Sequence, residues 1–390
     1  MTLPRSLRFW SRHLLLLNVA LLALVWMLYG ELTLRGHGYN YAARARDFWL
    51  VRDPGQFDSL PGVENVLLPG LAAALYSAFS AAGWDVTDSA FLVLAAIPYP
   101  LFIYAVTRHL SRNARNGPPL AVGAAILLYT SGMIPYMTSW GGYLDGVSYV
   151  LMLPVFIRPE SLLAYAIAFS LQCLNHYLGA LALLMFAFVW HSMRALEQPD
   201  ARRAATDCFN SLASRFVLSV VICGAFISFW DSSYPEAAHV RQEFAMERWK
   251  DPAAVLNEVL GRFPWTMLST LKLGLIPVAA LMAAKRPVRP LRGLVLGLPF
   301  LMAVALTLLF VDVTRVATML VLPALLVTFH AAGSDATPPH IRRRLRRWLI
   351  AAALLNLMIP NYYVNNGEII VPRPHAARAG IWRLVDSLRQ

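Results

Sequence analysis

The acid in Trp140-Gly-Gly-Tyr-Leu-Asp-Gly146 stands where one long apolar run, 120–136, has ended and the next, 147–157, is about to begin. A carboxylate at the mouth of a membrane span costs on the order of a few kcal/mol if it lies below the surface, so Asp145 is either a functional group or a solvated turn acid. A second set of acids, Asp47, Asp58 and Glu64, lies in the segment 35–66, together with His37, Tyr41, Arg44, Arg46, Trp49 and Arg52. A carboxylate that reaches a hydroxyl within hydrogen-bond distance in a water-filled cavity can act as a general base. Asp47, flanked by Arg44, Arg46, Phe48 and Trp49, has the mixed cationic and aromatic surroundings that suit sugars and phosphates. Each of these acids also has a plain reading as a solvated loop side chain.

Placed cations accompany the acids. In Val311-Asp-Val-Thr-Arg315, Asp312 and Arg315 are three residues apart and would pair on a helical turn. Alternatively, the planar guanidinium of Arg315 takes a phosphate oxygen. Lys272, alone in an apolar run, either snorkels outward or meets a phosphate. His176, in the turn Asn175-His176-Tyr177, reads as an interfacial histidine or as a substrate group. No P-loop, dinucleotide fingerprint, zinc helix or nucleophile elbow is present. Cys173, Cys208 and Cys223 lack metal-ligand spacing, so the sequence suggests no metal site.

The elements that must position these groups are membrane helices. With 58% hydrophobic and 14% charged residues over 390 positions, the chain has the composition of a polytopic membrane protein. The net charge of +12 is broken into short clusters between apolar runs, the pattern of cytoplasmic loops rather than of a nucleic-acid surface. Apolar runs predict about 11 transmembrane helices, near 14–34, 90–107, 118–136, 144–157, 161–174, 177–192, 216–230, 266–284, 294–311, 316–330 and 349–360. The first follows a basic start (Arg5, Arg8, Arg12) and reads as a signal anchor, with a cytoplasmic N-terminus.

A further run, 67–82, is decided by parity. If it crossed, the acidic Trp84-Asp-Val-Thr-Asp88 would face the cytoplasm and the basic stretch from Arg108 to Arg115 would lie outside, against the positive-inside rule. We therefore read 67–82 as an interfacial helix on the outer face, begun by Pro69. The segments then expected inside carry 20 of the 34 Lys and Arg but only five of the 22 acids. Their strongest cluster, Arg342-Arg-Arg-Leu-Arg-Arg347, suits an inner surface that meets anionic lipid.

The whole chain, 1–390, thus reads as a single all-α transmembrane domain. Its outer parts are a loop at 35–89, a loop at 231–265 with a helical look, and a tail at 361–390. In the tail, Ile381, Leu384, Val385 and Leu388 recur with helical spacing, which predicts an amphipathic interfacial helix.

This order of features resembles the integral-membrane glycosyltransferase superfamily C (GT-C), enzymes that use lipid-phospho-sugar donors. The resemblance rests chiefly on residues 14–190: one span, a long outer loop with aromatics and acids, the segment Leu67-Leu-Pro-Gly-Leu-Ala-Ala-Ala-Leu-Tyr76, a span ending in Tyr104-Ala-Val-Thr-Arg108, and an outer Tyr136, Trp140, Leu144-Asp145 that opens the next helix. It implies a catalytic acid in the first loop and a second acid at Asp145. Where the family shows Asp or Glu soon after the first span, this sequence has Gly38-Tyr39-Asn40-Tyr41. An amide cannot act as a base, so the role passes to Asp47 or Asp58, or the chain is not a transferase of the usual kind.

The resemblance further implies a polyprenyl-phosphate sugar donor and a glycan, lipid or protein acceptor, joined with inversion at the periplasmic face of a bacterial cytoplasmic membrane. Tyr41, Trp49, Trp140, Tyr143 and His176 would line the substrate site, and Arg315, Lys272 and Asp312 would attend the lipid phosphate. A divalent metal between two acids is compatible with this scheme but not required by it, and no other cofactor is implied. Two other readings are a transporter or flippase for a lipid-linked saccharide and a non-catalytic subunit of a glycan assembly complex. The transporter reading calls for polar residues at mid-membrane, where the spans offer few beyond Asn18, Gln172 and Asn356.

Overall fold

A computed structural model of the chain describes residues 13–29, 41–43, 45, 65–81, 88–113, 117–134, 137, 143–198, 200–233, 235, 246, 249–284, 289–308, 313–335, 337–359, 363–365 and 368–370. The regular elements in chain order are α1 (Leu14–Tyr29), α2 (Leu67–Ala81), α3 (Asp88–Ala96), α4 (Pro98–Asn113), α5 (Gly117–Tyr129), α6 (Asp145–Ile157) and α7 (Leu162–Asn175). They continue with α8 (Tyr177–Ala195), α9 (Ala201–Ser233), α10 (Pro252–Leu271), a single turn of tighter helix at Lys272–Gly274, α11 (Leu275–Met282), α12 (Arg289–Thr307), α13 (Val313–Gly333) and α14 (Pro339–Asn356). A small antiparallel pair follows, β1 (Tyr363–Asn365) and β2 (Glu368–Ile370), with Val364 opposite Ile369.

Six helical stretches among the described residues are long and apolar enough to cross a membrane: Phe91–Asn113, Tyr177–Ala195, Ala201–Ser233, Pro252–Met282, Pro290–Thr307 and Thr314–Gly333. The protein is an α-helical membrane protein. Each apolar run read from the sequence overlaps a helix, and 67–82 coincides with α2. Two features depart from expectation, the length of α9 and the start of the tail. Helix α10 begins at Pro252, in keeping with the helical look of the outer loop, and leads without a gap to Leu271. Asp251 starts it, its carboxylate accepting from the Ala254 N–H at 3.0 Å. Helix α9 extends from Ala201 to Ser233, and its 33 residues measure roughly 50 Å, well beyond a hydrocarbon core of about 30 Å. The start of the tail forms the β1–β2 pair, while 371–390, with the predicted amphipathic helix, lies outside the described residues.

Helix α13 is the centre of the bundle. Val316, Ala317, Met319 to Leu322 and Ala324 to Leu326 are all buried, and the helix packs on α8, α10, α12 and α14. Two of its hydroxyls are satisfied within the helix: Thr318 donates to Thr314 O at 2.7 Å and Thr328 to Ala324 O at 2.8 Å. Helix α9 is the opposite case, with Phe209, Phe216, Val217, Val221 and Phe229 exposed, as suits a lipid-facing position.

The bundle has two chemically distinct ends. At one end, Glu160, between α6 and α7, pairs with Arg194 of α8 and accepts from the Trp190 indole N–H at 3.2 Å. Arg215 of α9 donates to Pro159 O at 2.8 Å, and the Trp190 and His330 rings meet edge-on at 4.2 Å. Arg342 of α14 pairs with Asp335 at 2.8 Å. The arginine-rich connections thus gather together. Helix α13, about 30 Å long by its 21 residues, separates them from the end where Asp145 and Arg315 lie.

Glu160 lies outside the spanning helices. Burial pushes its carboxyl up, but the Trp190 hydrogen bond and the charges of His191 and Arg194 outweigh this and hold it below the ordinary value. A carboxyl lowered by folding contributes stability above its unfolded value, and that contribution is lost as pH falls through the folded value. Wild type should accordingly unfold at a higher temperature than Glu160→Gln above about pH 4.5, the difference closing on acidification. Thermal unfolding of the two proteins in detergent across that range checks this, and a pH-independent difference would refute it.

Candidate functional site: a buried acid and guanidinium at one end of the bundle

Asp145 is the first residue of α6, where the unpaired N–H groups and the helix dipole favour a negative charge. It is 1% exposed. Its burial follows from how closely the chain is packed around it. Gly146 lies against Tyr99, where a Cβ would come within 2.7 Å of the ring and 2.9 Å of Ala95 O. Only glycine permits that approach.

The start of α6 is held by polar side chains of α7. Asn175 donates from Nδ2 to Leu144 O and to Ser148 Oγ, both at 3.0 Å. Gln172 donates to Ser148 O at 2.7 Å. Gly179 of α8 leaves room for this group, since a Cβ there would stand 2.1 Å from Gln172 Oε1 and 2.6 Å from Ser148 Oγ. Tyr149, one turn along α6, is packed between Tyr99 and Phe102, each ring centre 5.6 Å away. Asp145 is therefore fixed in position by its backbone as well as by its own contacts.

Arg315 arrives from the first turn of α13. Its Nη1 lies 3.8 Å from Asp145 Oδ2, and its Cζ is 4.7 Å from the centre of the Tyr143 ring. The structure thus gives Arg315 a partner in Asp145, from a helix 170 residues earlier; Asp312 lies outside the described residues. Both side chains are at most 9% exposed. At this separation the attraction is about 4 kcal/mol for a partly screened pair, and the aromatic face adds a cation–π contact. The neighbouring Thr314 hydroxyl shares a hydrogen bond of 2.7 Å with Ser269 of α10 and accepts from Val364 N of β1 at 2.7 Å. This anchors the start of α13, and with it Arg315.

A second polar centre surrounds the break between α10 and α11. Lys272 has φ 48°, the one positive φ at a non-glycine position among the described residues. It does not snorkel outward: it is 2% exposed and Nζ donates to Ile359 O at 2.8 Å. Asn356 of α14 closes the broken backbone, accepting from Leu273 N at 2.9 Å and donating to Leu271 O at 3.3 Å and Thr130 Oγ1 at 3.2 Å. A helix interrupted inside an apolar bundle requires such a substitute for its missing bonds.

Other residues singled out in the sequence occupy plainer places. His176 caps α8, its Nδ1 accepting from Leu178 N at 3.1 Å. Tyr41 is buried, its hydroxyl accepting from Asn65 Nδ2 at 3.3 Å, in a cluster with Ala42, Ala45, Leu68, Ala72, Tyr76, Phe91 and Leu144. Residues near Tyr41 therefore share a cluster with the residue preceding Asp145. Asp47, Asp58, Trp49 and Trp140 lie outside the described residues. Among the described residues, no three His, Cys, Asp or Glu side chains gather in a way that could hold a metal ion. Asn175, Ser148 and Thr314 were absent from the sequence-based candidates. Asn175 had a visible signal in its turn beside His176; the other two had none.

Removing Arg315 alone should deprive the buried Asp145 carboxylate of the guanidinium charge beside it. Arg315→Met is expected to cost about 3–5 kcal/mol, and adding Asp145→Asn to recover a substantial part of it. Denaturation of the two single variants and the double variant measures this coupling, and additive losses would contradict it. No protein family model matches the chain, and no curated protein matches it.

Proposed function

We propose that the protein is a membrane glycosyltransferase of the GT-C kind, moving a sugar from a polyprenyl-phosphate donor to an acceptor at the outer face of a bacterial cytoplasmic membrane. The observation that carries the reading is the buried Asp145–Arg315 pair beside Tyr143, at the end of the bundle opposite the clustered arginines. An acid and a guanidinium held rigidly at a helix start are a setting in which an anionic group can be recognised.

In this reading a first-loop carboxylate accepts the proton of the acceptor hydroxyl. The oxygen attacks the anomeric carbon, the bond from that carbon to the phosphate oxygen breaks, and configuration inverts. Asp145 orients rather than accepts the proton, since its charge is already engaged with Arg315. Arg315 supplies positive charge to the departing lipid phosphate. Lys272 is not needed for that step in this reading, its Nζ donating to Ile359 O. The candidates for the base are Asp47 and Asp58.

The topology that accompanies this reading has eleven crossings with the N-terminus inside and α2 lying on the outer surface. Its support is the segregation of arginine-rich connections at one end of the bundle. The transporter reading loses ground because the polar residues within the spans are engaged in packing. Asn18 donates to Leu14 O at 2.8 Å and to Thr107 Oγ1 at 3.4 Å, Gln172 holds α6, and Asn356 closes the α10–α11 break.

Asp145→Asn and Asp47→Asn should each abolish glycan transfer without loss of expression; full activity in both variants refutes the assignment. A cysteine at Ser80 should label from outside and one at Ser111 only from inside. Labelling of the latter from outside contradicts the eleven-crossing arrangement. The sugar and the acceptor would follow from a lipid-extract mass spectrum of a strain lacking the protein.

A further inference from the structure

Five arginines lie in the first half of α14, and the fold divides them into two groups. Arg342 is turned inward, donating to Ser334 O at 2.9 Å and pairing with Asp335 at 2.8 Å. Arg346 donates from Nε to Ala332 O at 2.8 Å. These two fasten α14 to the C-terminal end of α13, where open carbonyls favour cations. Arg343, Arg344 and Arg347 are exposed on another face, with His340 and Trp348 beside them.

Positions 340, 343, 344, 347, 348 and 351 fall at intervals of three and four, one stripe along the helix, and they line an open groove of about 610 Å³. The opposite face, Ile341, Leu345, Leu349, Ala352 and Ala353, is buried in the bundle. Beyond Trp348 the exposed residues turn wholly apolar: Leu354, Leu355, Leu357 and Met358.

Along the helix this surface runs from cationic to aromatic to aliphatic. From Arg344 to Leu355 is 11 residues, a rise of about 16 Å, close to half the thickness of a hydrocarbon core. A phospholipid has the matching profile: a phosphate, a glycerol region at the depth where Trp resides, and acyl chains. We propose that this face of α14 is a binding site for one anionic phospholipid of the leaflet at the arginine-rich end. The phosphate is held by Arg343, Arg344 and Arg347, Trp348 lies at the glycerol level, and an acyl chain lies along Ala351, Leu354 and Leu355. The site is independent of the reaction proposed above and needs only that the protein lies in a membrane.

The site is tested with the full-length protein in detergent, titrated with phosphatidylglycerol, phosphatidylcholine or inorganic phosphate, binding being followed by native mass spectrometry and thermal unfolding. Wild type is expected to retain phosphatidylglycerol preferentially and to be stabilised by it. The variant R343Q/R344Q/R347Q should bind it on the order of a hundredfold more weakly. R202Q/R203Q, which removes exposed arginines of α9, should leave that affinity unchanged. If the triple variant does not fold, Arg344→Gln alone should weaken binding roughly fivefold. Equal stabilisation by phosphatidylcholine or by inorganic phosphate would overturn the proposal, as would undiminished lipid affinity in the arginine variants or an equal loss in R202Q/R203Q.

Discussion

A carboxylate at the start of an apolar helix has to be compensated, and much of the architecture at one end of this bundle serves that constraint. Asp145 receives the dipole of α6, the guanidinium of Arg315 from α13, and a backbone fixed by Asn175. Because Arg315 belongs to the central helix, the pair also joins α6 to α13. Tyr143, two residues before the acid, lies with its ring against the guanidinium, the ring centre 4.7 Å from Cζ.

The same logic recurs wherever the backbone is interrupted. The end of α7 passes to the start of α8 through His176, whose side chain caps the new helix while Asn175 reaches back to α6. The break after α10 is closed by Asn356, and Lys272 at that break donates to the carbonyl of Ile359. In a low-dielectric interior each open N–H or C=O would cost several kcal/mol, so a few amides placed at breaks carry more weight than their number suggests. At the opposite end the surplus is cationic, and the fold separates arginines that tie helices together from arginines that face outward.

Much of this was legible in the sequence where it depended on one segment at a time. Runs of apolar residues marked the helices because a membrane span leaves little freedom in composition, and the position of Asp145 between two runs marked it as an acid under constraint. Lys272 was misjudged: an isolated lysine in an apolar run reads as a snorkelling side chain, and only the proximity of Ile359, 87 residues later, shows where its ammonium goes. Arg315 stood out in the sequence with two readings, a pair with Asp312 three residues away or a phosphate contact, and neither pointed to Asp145. Local spacing cannot reveal a partner on another helix, and for the same reason the contact of Thr314 with Ser269 and β1 left no trace in the pattern of residues. The helical look of the 231–265 loop was visible, but polar residues such as Asn257, Glu258 and Arg262 hid that its end runs on without a gap into the next helix.

In the proposed transferase reaction, Arg315 is the group that would meet the lipid phosphate. The most direct measurement is the thermal stability of the purified protein with and without a polyprenyl monophosphate, in a background carrying R343Q/R344Q/R347Q so that the α14 face does not contribute. The proposed role predicts that the ligand stabilises the protein that retains Arg315 and fails to stabilise Arg315→Lys, because a point charge does not replace a planar fork of donors. Equal stabilisation in the presence and absence of that substitution would contradict it.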